Sequence, residues 1–158
     1  MSRKTLNDMV AECRPFIDEL FPWELLEEQA RDPHLLLVDI RCPDEVRMLR
    51  IRDSIAVPRG ILESACDYGY DETLPQLVEA RDQRVVVVCR SGNRSVLAAH
   101  TLKTMGFDHA ASLKSGLKGW NDFDLPLVDE DDCPIDPDLA EHLLNPALSP
   151  EKLGPGLR

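Results

Sequence analysis

The chain has 158 residues, of which 43% are hydrophobic and 30% are charged, as in an ordinary soluble protein with one domain and one core. Its 18 basic and 29 acidic residues give a formal net charge of -11, which repels the phosphates of nucleic acid and the anionic surface of a membrane. Composition therefore excludes nucleic acid and membranes as general partners. The N-terminus lacks the apolar segment of a signal peptide, so we expect a cytoplasmic protein.

The five cysteines are odd in number, widely spaced and free of any Cys-x-x-Cys pair. This spacing argues against a disulfide framework and against structural zinc. We therefore expect neither a metal nor a cofactor, and each cysteine is judged by its own surroundings.

The first part of the chain predicts two helices and a strand. Apolar residues three or four apart over residues 5–20 indicate an amphipathic helix, and a second helix is expected from Pro22 to Asp32. Residues 35–40 form a short apolar run that ends at charged residues, which is typical of a strand buried on both faces. A short helix is then expected from Pro43.

The second part repeats the alternation of strand and helix. Residues 55–58 predict a brief strand, and the four valines of residues 85–88 predict a central one. A helix pattern over residues 96–105 ends at Gly106, and residues 110–113 give one more strand. The predicted fold class is α/β, with a parallel sheet and helices on both faces.

Residues 122–141 contain nine acidic and no basic residues, and half of the prolines lie between Pro126 and Pro155. Leu139, Leu143 and Leu144 could form one amphipathic turn that packs on the domain. The predicted organisation has three parts: an N-terminal helical extension (1–22), a domain (23–127) and an acidic, proline-rich tail (128–158).

The segment after the central strand carries the candidate chemistry. Its residues are Cys89, Arg90, Ser91, Gly92, Asn93, Arg94 and Ser95. A loop between a parallel strand and a helix N-terminus presents backbone N–H groups and partial positive charge, and Arg90 and Arg94 add full charges. These features favour a thiolate, so Cys89 is the predicted nucleophile, with the rest of the loop binding substrate. Gly92 permits the curl of the loop.

This loop closely resembles the active-site loop of rhodanese-family sulfurtransferases. Asp39, Arg41 and Glu45 resemble the family's first-strand signature, while residues 57–60 and 113–120 resemble two later segments. Arg50, Asp53 and Ser115 depart from the family pattern. The resemblance implies a rhodanese-like fold and a Cys89 persulfide that passes sulfur to cyanide, a thiol or a protein. It implies a small anionic sulfur donor such as thiosulfate, and a protein sulfur acceptor or carrier as a further partner.

Two other functions remain open. Cys-dependent phosphatases and arsenate reductases also use a loop from cysteine to arginine, but four residues separate Cys89 from Arg94, whereas the phosphatase loop has five. A sulfur-relay or docking module that acts on a protein partner would carry the same loop as the enzyme. Arg94 could instead be a structural cation paired with Asp39 or Glu45. Cys42 could resolve a Cys89 persulfide, although a packing role is favoured.

Overall fold

The computed structural model describes residues 2–156. Residue 1 of the predicted extension and residues 157 and 158 of the predicted tail lie outside the described residues. The described residues form one five-stranded sheet in the order β1-β5-β4-β2-β3, and every neighbouring pair is parallel. The strands are β1 (Asp18–Leu20), β2 (Leu36–Asp39), β3 (Ile55–Ala56), β4 (Val85–Val88) and β5 (Ala110–Leu113).

Helices cover both faces of this sheet. They are α1 (Leu6–Cys13), α2 (Pro22–Arg31), α3 (Pro43–Met48), α4 (Leu62–Ala65), α5 (Pro75–Val78), α6 (Asn93–Thr104), α7 (Gly116–Asp122), α8 (Pro137–Leu144) and α9 (Pro150–Leu153). Short 3₁₀ turns lie at Arg14–Phe16 and Arg59–Ile61. Within residues 2–156, no helix has the length and apolar character that crossing a membrane requires.

Strand β4 separates two hydrophobic cores because successive side chains of a strand point to opposite faces. Val85 and Val87 pack in one core with side chains of α1 and α6, while Val86 and Val88 pack in the other with side chains of α2, α7 and α8. All four valines are buried. The predicted α/β class, with a parallel sheet and helices on both faces, is confirmed.

The predicted helix over residues 5–20 is wrong in its second half. Thr5 caps α1, but the helix ends at Cys13, since Pro15 supplies no N–H for a further helical turn. The chain then becomes extended, and Asp18 pairs with Ala111 of β5. One of the sheet's two edge strands, β1, therefore lies within residues 1–22, N-terminal to the predicted domain.

The segment after residue 128 is partly packed on the domain. Helix α8 buries Ala140 and Leu144 in the same core as Trp120 of α7, and the side-chain amide of Asn121 donates to the carbonyl of Pro137. The amphipathic turn expected at this position is present, but Leu139 is exposed on its outer side.

Candidate functional site

The loop after β4 directs backbone N–H groups at the sulfur of Cys89. Cys89 is fully buried, and its Sγ accepts hydrogen bonds from the backbone N–H of Gly92 at 3.1 Å and of Ser95 at 3.3 Å. Gly92 has φ of 93°, in the left-handed region that glycine adopts without steric cost, and this turn brings its N–H onto the sulfur. Two backbone donors aimed at one sulfur suit an anionic form of that atom.

A pair of buried serines extends this arrangement. The Cys89 thiol lies 3.3 Å from Ser95 Oγ, which is 2.7 Å from Ser112 Oγ on β5. Because either hydroxyl can donate, Ser95 accepts from a thiol and donates to a thiolate, with Ser112 adjusting in turn. Ser112 is not among the site residues predicted from the sequence. The signal was a serine within the otherwise apolar run of residues 110–113.

The turn between β5 and α7 donates hydrogen bonds to the backbone carbonyls of the same loop. The backbone N–H of Leu117 donates to the carbonyl of Cys89 at 2.9 Å, and that of Lys118 donates to the carbonyl of Arg90 at 3.0 Å. A Cβ at Gly116 would lie 2.4 Å from the Cys89 carbonyl oxygen, so only glycine fits there. Ser115, which departs from the family pattern, adopts a left-handed φ of 66°.

Arg94 pairs with Glu45 rather than with Asp39. Two guanidinium N–H groups donate to the Glu45 carboxylate at 3.1 and 3.0 Å, and the backbone N–H of Cys42 donates to the same carboxylate at 3.1 Å. Burial alone would raise the pKa of Glu45, but the hydrogen bonds from Arg94 lower it to about 2. The hydrogen bonds to Glu45 raise the pKa of Arg94. This pair ties α3 to the Cys89 loop.

Asp39 and Arg41 form a second pair, which is buried. Arg41 donates from Nε and Nη2 to the carboxylate of Asp39, with a shortest distance of 2.7 Å, and both side chains are no more than 2% exposed. Arg41 also donates to the carbonyl of Leu49 at 2.7 Å. Arg41 thus links the end of β2 to Leu49 at the end of α3, and neither Asp39 nor Arg41 makes a hydrogen bond to the Cys89 sulfur among the described contacts.

The other predicted loop residues are placed differently. Ser91 is exposed and Asn93 is half-buried, and neither contributes a hydrogen bond to the Cys89 sulfur among the described contacts. Arg90 is half-buried, and its Nε has no hydrogen-bond partner within the described part of the chain. Of the seven loop residues, the structure thus brings Gly92 and Ser95 to the sulfur of Cys89.

The remaining cysteines differ from Cys89 in their surroundings. Cys66 is buried, and burial raises the pKa of its thiol to about 11 despite the nearby Arg81. Cys42 is exposed at the start of α3, so the packing role favoured for it is wrong.

A cleft of about 210 Å³ opens beside the loop. Arg90, which follows Cys89 in the chain, lines this cleft together with Arg41 and with Glu45, which binds Arg94. Leu143 and Pro146, from the C-terminal end of α8 and beyond, form part of its wall. The segment after residue 128 therefore contributes side chains next to the Cys89 loop.

A family model and related sequences match this chain. Residues 22–123 match the family model described as Rhodanese-like domain. A sulfurtransferase from Allochromatium vinosum is 30% identical over 112 residues, which cover 71% of this chain and 95% of the relative. An adenylyltransferase and sulfurtransferase MOCS3 from Drosophila virilis is 35% identical over 86 residues, which cover 54% of this chain. The aligned part is 18% of the length of that relative.

Two solved structures extend the comparison. A protein of unknown function from Rhodopseudomonas palustris, with tyrosine phosphatase as a suggested activity, has a TM-score of 0.72 and 29% identity. That match covers 80% of this chain and 96% of the other. A thiosulfate sulfurtransferase from Pseudomonas aeruginosa has a TM-score of 0.60 and 24% identity, and the match covers 75% of this chain and 21% of the other. The second likeness concerns the fold alone.

Proposed function

This chain belongs to the rhodanese-like domain family, and from that premise we propose that it is a sulfurtransferase that carries a sulfane sulfur as a persulfide on Cys89. The observation that supports this proposal most is the pair of backbone N–H groups, from Gly92 and Ser95, that point at the Cys89 sulfur. The sulfurtransferase from Allochromatium vinosum matches this chain over nearly all of its own length, which supports the same assignment.

The proposed reaction has two displacements at sulfur. The Cys89 thiolate attacks the outer sulfur of the donor, a new S–S bond forms, and the bond from that sulfur to the donor breaks with its electron pair leaving on the donor. An acceptor nucleophile then attacks the outer sulfur of the persulfide, and Cys89 leaves as a thiolate. Negative charge develops on sulfur at this position in both displacements, so the N–H groups of Gly92 and Ser95 can stabilise it in each step.

The surrounding charges support an anionic donor such as thiosulfate. Arg90 has no carboxylate partner among the described ion pairs, whereas the charge of Arg94 is shared with Glu45. We propose that Arg90 attracts the donor and that Arg94 keeps the loop in position. Asp39 and Arg41 would then act on catalysis only through the position of α3.

Mass spectrometry of the intact protein tests the proposal directly. Incubation with thiosulfate should add one sulfur to the protein, and peptide mapping should place it on Cys89. Cys89→Ser should add none and should lose sulfur transfer to cyanide by at least about a thousandfold, because a serine hydroxyl stays protonated and accepts sulfur poorly. Cys66→Ser is the matched control, since Cys66 is equally buried but lies in a different part of the core. Normal turnover by Cys89→Ser would exclude the proposal.

A phosphatase is the second candidate, because such an activity has been suggested for the Rhodopseudomonas palustris protein. Binding a phosphate dianion needs a wide ring of amides and a free arginine. Here the loop amides contact the Cys89 sulfur, four residues separate Cys89 from Arg94, and Glu45 holds Arg94. We therefore expect no hydrolysis of p-nitrophenyl phosphate under conditions where thiosulfate loads Cys89. Hydrolysis that depends on Cys89, without sulfur loading, would favour the phosphatase.

The identity of the sulfur acceptor distinguishes an enzyme that acts on small molecules from a sulfur relay that acts on a protein. The MOCS3 relative is named for an adenylyltransferase as well as a sulfurtransferase, and this chain matches a small part of it. We propose that a protein thiol is one acceptor of the Cys89 sulfur. Faster transfer to a protein cysteine than to cyanide, at equal acceptor concentration, would support the relay.

A further inference from the structure

A row of three aromatic side chains lies on the surface beside the ends of β1 and β5. Phe21 and Trp23 are stacked, with ring centroids 4.5 Å apart, and the ring of Phe123 lies 5.0 Å from that of Trp23. Trp23 is 41% exposed and Phe123 is 50% exposed. The Nζ of Lys114 lies 4.7 Å from the centroid of the Phe21 ring, so a cation stands at one end. These four side chains are called the aromatic row.

The cationic end of the aromatic row adjoins the Cys89 loop. The backbone N–H of Lys114 donates to the carbonyl of Leu20 at 2.8 Å, which joins the end of β5 to the end of β1. The next residue, Ser115, packs against the loop, since a Cβ at Gly92 would lie 2.9 Å from its backbone nitrogen. The N–H of Gly92 in turn donates to the Cys89 sulfur. A molecule bound on the row is therefore next to the loop that carries the nucleophile.

The two ends of the aromatic row carry opposite charges. Lys114 is exposed at one end, and Asp122 and Asp124 are exposed on either side of Phe123 in the chain. None of these three side chains belongs to an ion pair within residues 2–156. At physiological ionic strength, charges are screened beyond about 8 Å. A partner on the row therefore responds to these three charges more than to the net charge of the chain.

We propose that the aromatic row is the docking surface for a protein sulfur acceptor, and that the docked segment has an acidic residue beside its cysteine, an apolar residue further along and a basic residue beyond. This inference rests on the proposed function. The acidic residue faces Lys114, the apolar residue packs on Trp23, and the basic residue approaches the two aspartates. An exposed apolar patch with charged residues at its rim is typical of an interaction site, and tryptophan is enriched where binding energy concentrates.

The docked segment brings its cysteine to the Cys89 persulfide. The acceptor thiolate attacks the outer sulfur, the S–S bond to Cys89 breaks, and Cys89 leaves as a thiolate with the electron pair. The acceptor then carries the persulfide. Cyanide undergoes the same displacement without docking, so changes in the aromatic row should act on transfer to a protein segment and not on transfer to cyanide.

Two peptides of identical composition test the order of the charges. In the first, a cysteine is followed by two aspartates, two phenylalanines and two lysines, and in the second the aspartates and lysines are exchanged. Because the two peptides have the same net charge, the net charge of -11 acts equally on both. The second-order rate constant of transfer from sulfur-loaded protein is measured per thiolate, since neighbouring charges shift the pKa of the peptide thiol. The aspartate-first peptide should react about fivefold faster, because the exchange turns attraction at both ends into repulsion.

Four variants locate the effect on the aromatic row. Lys114→Gln should lower the ratio of the two rates to about twofold, whereas Lys152→Gln, at an exposed lysine of α9, should leave it unchanged. Phe123→Ser should slow both peptides by about threefold through loss of apolar contact. Phe16→Ser is its control, because Phe16 is 65% exposed but lies in a different turn. Equal rates for the two peptides in the wild-type protein, or a ratio that Lys114→Gln does not change, would overturn the inference.

Calorimetric titration with the same peptides, each carrying serine in place of cysteine, separates the inference from the function on which it rests. If thiosulfate loads Cys89 and cyanide unloads it, but the two serine peptides bind equally or not at all, the inference alone fails. If the aspartate-first peptide binds more tightly but no donor loads Cys89, the proposed function fails and the docking surface stands. Displacement of the bound peptide by a single-stranded oligonucleotide would assign the aromatic row to nucleic acid and overturn the inference.

Discussion

Two turns at the carboxyl edge of the sheet meet at the candidate site, and they act on it in opposite ways. The turn after β4 directs N–H groups of Gly92 and Ser95 inward to the Cys89 sulfur. The turn after β5 directs N–H groups of Leu117 and Lys118 to the outer carbonyls of that first turn. The first turn contacts the Cys89 sulfur, and the second turn fixes the backbone of the first.

Both turns need a left-handed residue, but they meet the need differently. Gly92 has φ of 93° and Gly116 has φ of 57°, whereas Ser115 takes a similar conformation with a side chain. The strain is therefore placed on the supporting turn, where a side chain is tolerated, and the turn at the sulfur uses glycine. Substitutions in the two turns should accordingly separate loss of stability from loss of chemistry.

Gly116→Ala should have the largest effect on stability. Its Cβ would lie 2.4 Å from the Cys89 carbonyl oxygen, which is backbone and cannot rotate away. We expect the free energy of unfolding, measured by urea denaturation, to fall by about 3 kcal/mol. Gly69→Ala is the control, because Gly69 has φ of 96° but open space around it, so it should show only the conformational cost, about 1 kcal/mol. Equal losses in the two variants would contradict the close contact.

Gly92→Ala should affect sulfur transfer more than stability. The added Cβ would lie 2.9 Å from the Ser115 backbone nitrogen, so the loop must shift and its N–H leaves the Cys89 sulfur. Sulfur transfer from thiosulfate to cyanide should fall by roughly tenfold to a hundredfold, as for loss of one donor to a developing anion. Gly154→Ala, which also replaces a glycine of positive φ in open space, should leave transfer unchanged.

Glu45→Gln tests the pair that holds the first turn. The pKa of Glu45 is depressed from 4.5 to about 2, so its stabilisation is complete above about pH 4.5 and is lost as the pH falls towards 2. At pH 7 the variant should be less stable by about 1.5 kcal/mol once screening by solvent is allowed for, and the difference from wild type should shrink below pH 4.5. Glu63→Gln removes a more exposed pair with Arg59 and should cost less than about 0.5 kcal/mol. A difference that does not change with pH would contradict the role of this carboxylate.

Ser112→Ala tests the hydroxyl pair behind the sulfur. Ser95 would lose its partner at 2.7 Å, and the protein should be less stable by about 1 kcal/mol. Sulfur transfer should fall a few-fold, because Ser95 is no longer held towards Cys89. Ser64→Ala removes a hydroxyl that donates to the carbonyl of Ile61, away from the loop, and should leave transfer intact. Equal rates of sulfur transfer in the two variants would show that Ser112 does not act on the Cys89 loop.

Ser115→Gly should have the smallest effect, and of opposite sign. Glycine relieves the left-handed strain at φ of 66° but adds freedom to the unfolded chain. The net gain in the free energy of unfolding should be about 0.5 kcal/mol, measured by urea denaturation. A loss of stability would show that the Ser115 side chain supports the turn.

The sequence alone predicts those elements in which neighbouring residues all favour the same secondary structure. The four valines of β4, the helix that ends before Gly106 and the strand Ala110–Leu113 lie where local pattern places them. Strand β1 could not be predicted in this way, since three residues with two exposed or half-exposed acids give no strand pattern, and their partner β5 is distant in the chain.

The same distinction between local pattern and strand order applies to the candidate site. The predicted nucleophile, Cys89, and the Gly92 turn beside its sulfur lie in one short segment, so a resemblance in seven residues is enough to single them out as candidates. Ser112, the outer turn at Leu117 and the pairing of Arg94 with Glu45 rather than with Asp39 depend on which strands are neighbours. That the Arg90 side chain has no carboxylate partner within residues 2–156 is less local still, because it depends on where all the carboxylates of that part of the chain lie.

Strand β1 also covers a sheet edge that could otherwise pair with strands of other molecules. It covers β5, whose four residues are all buried and whose N–H and C=O groups would otherwise form an open sheet edge. Such an edge recruits strands from other molecules. The new edge that β1 presents is three residues long and carries two acidic side chains, which disfavour further pairing.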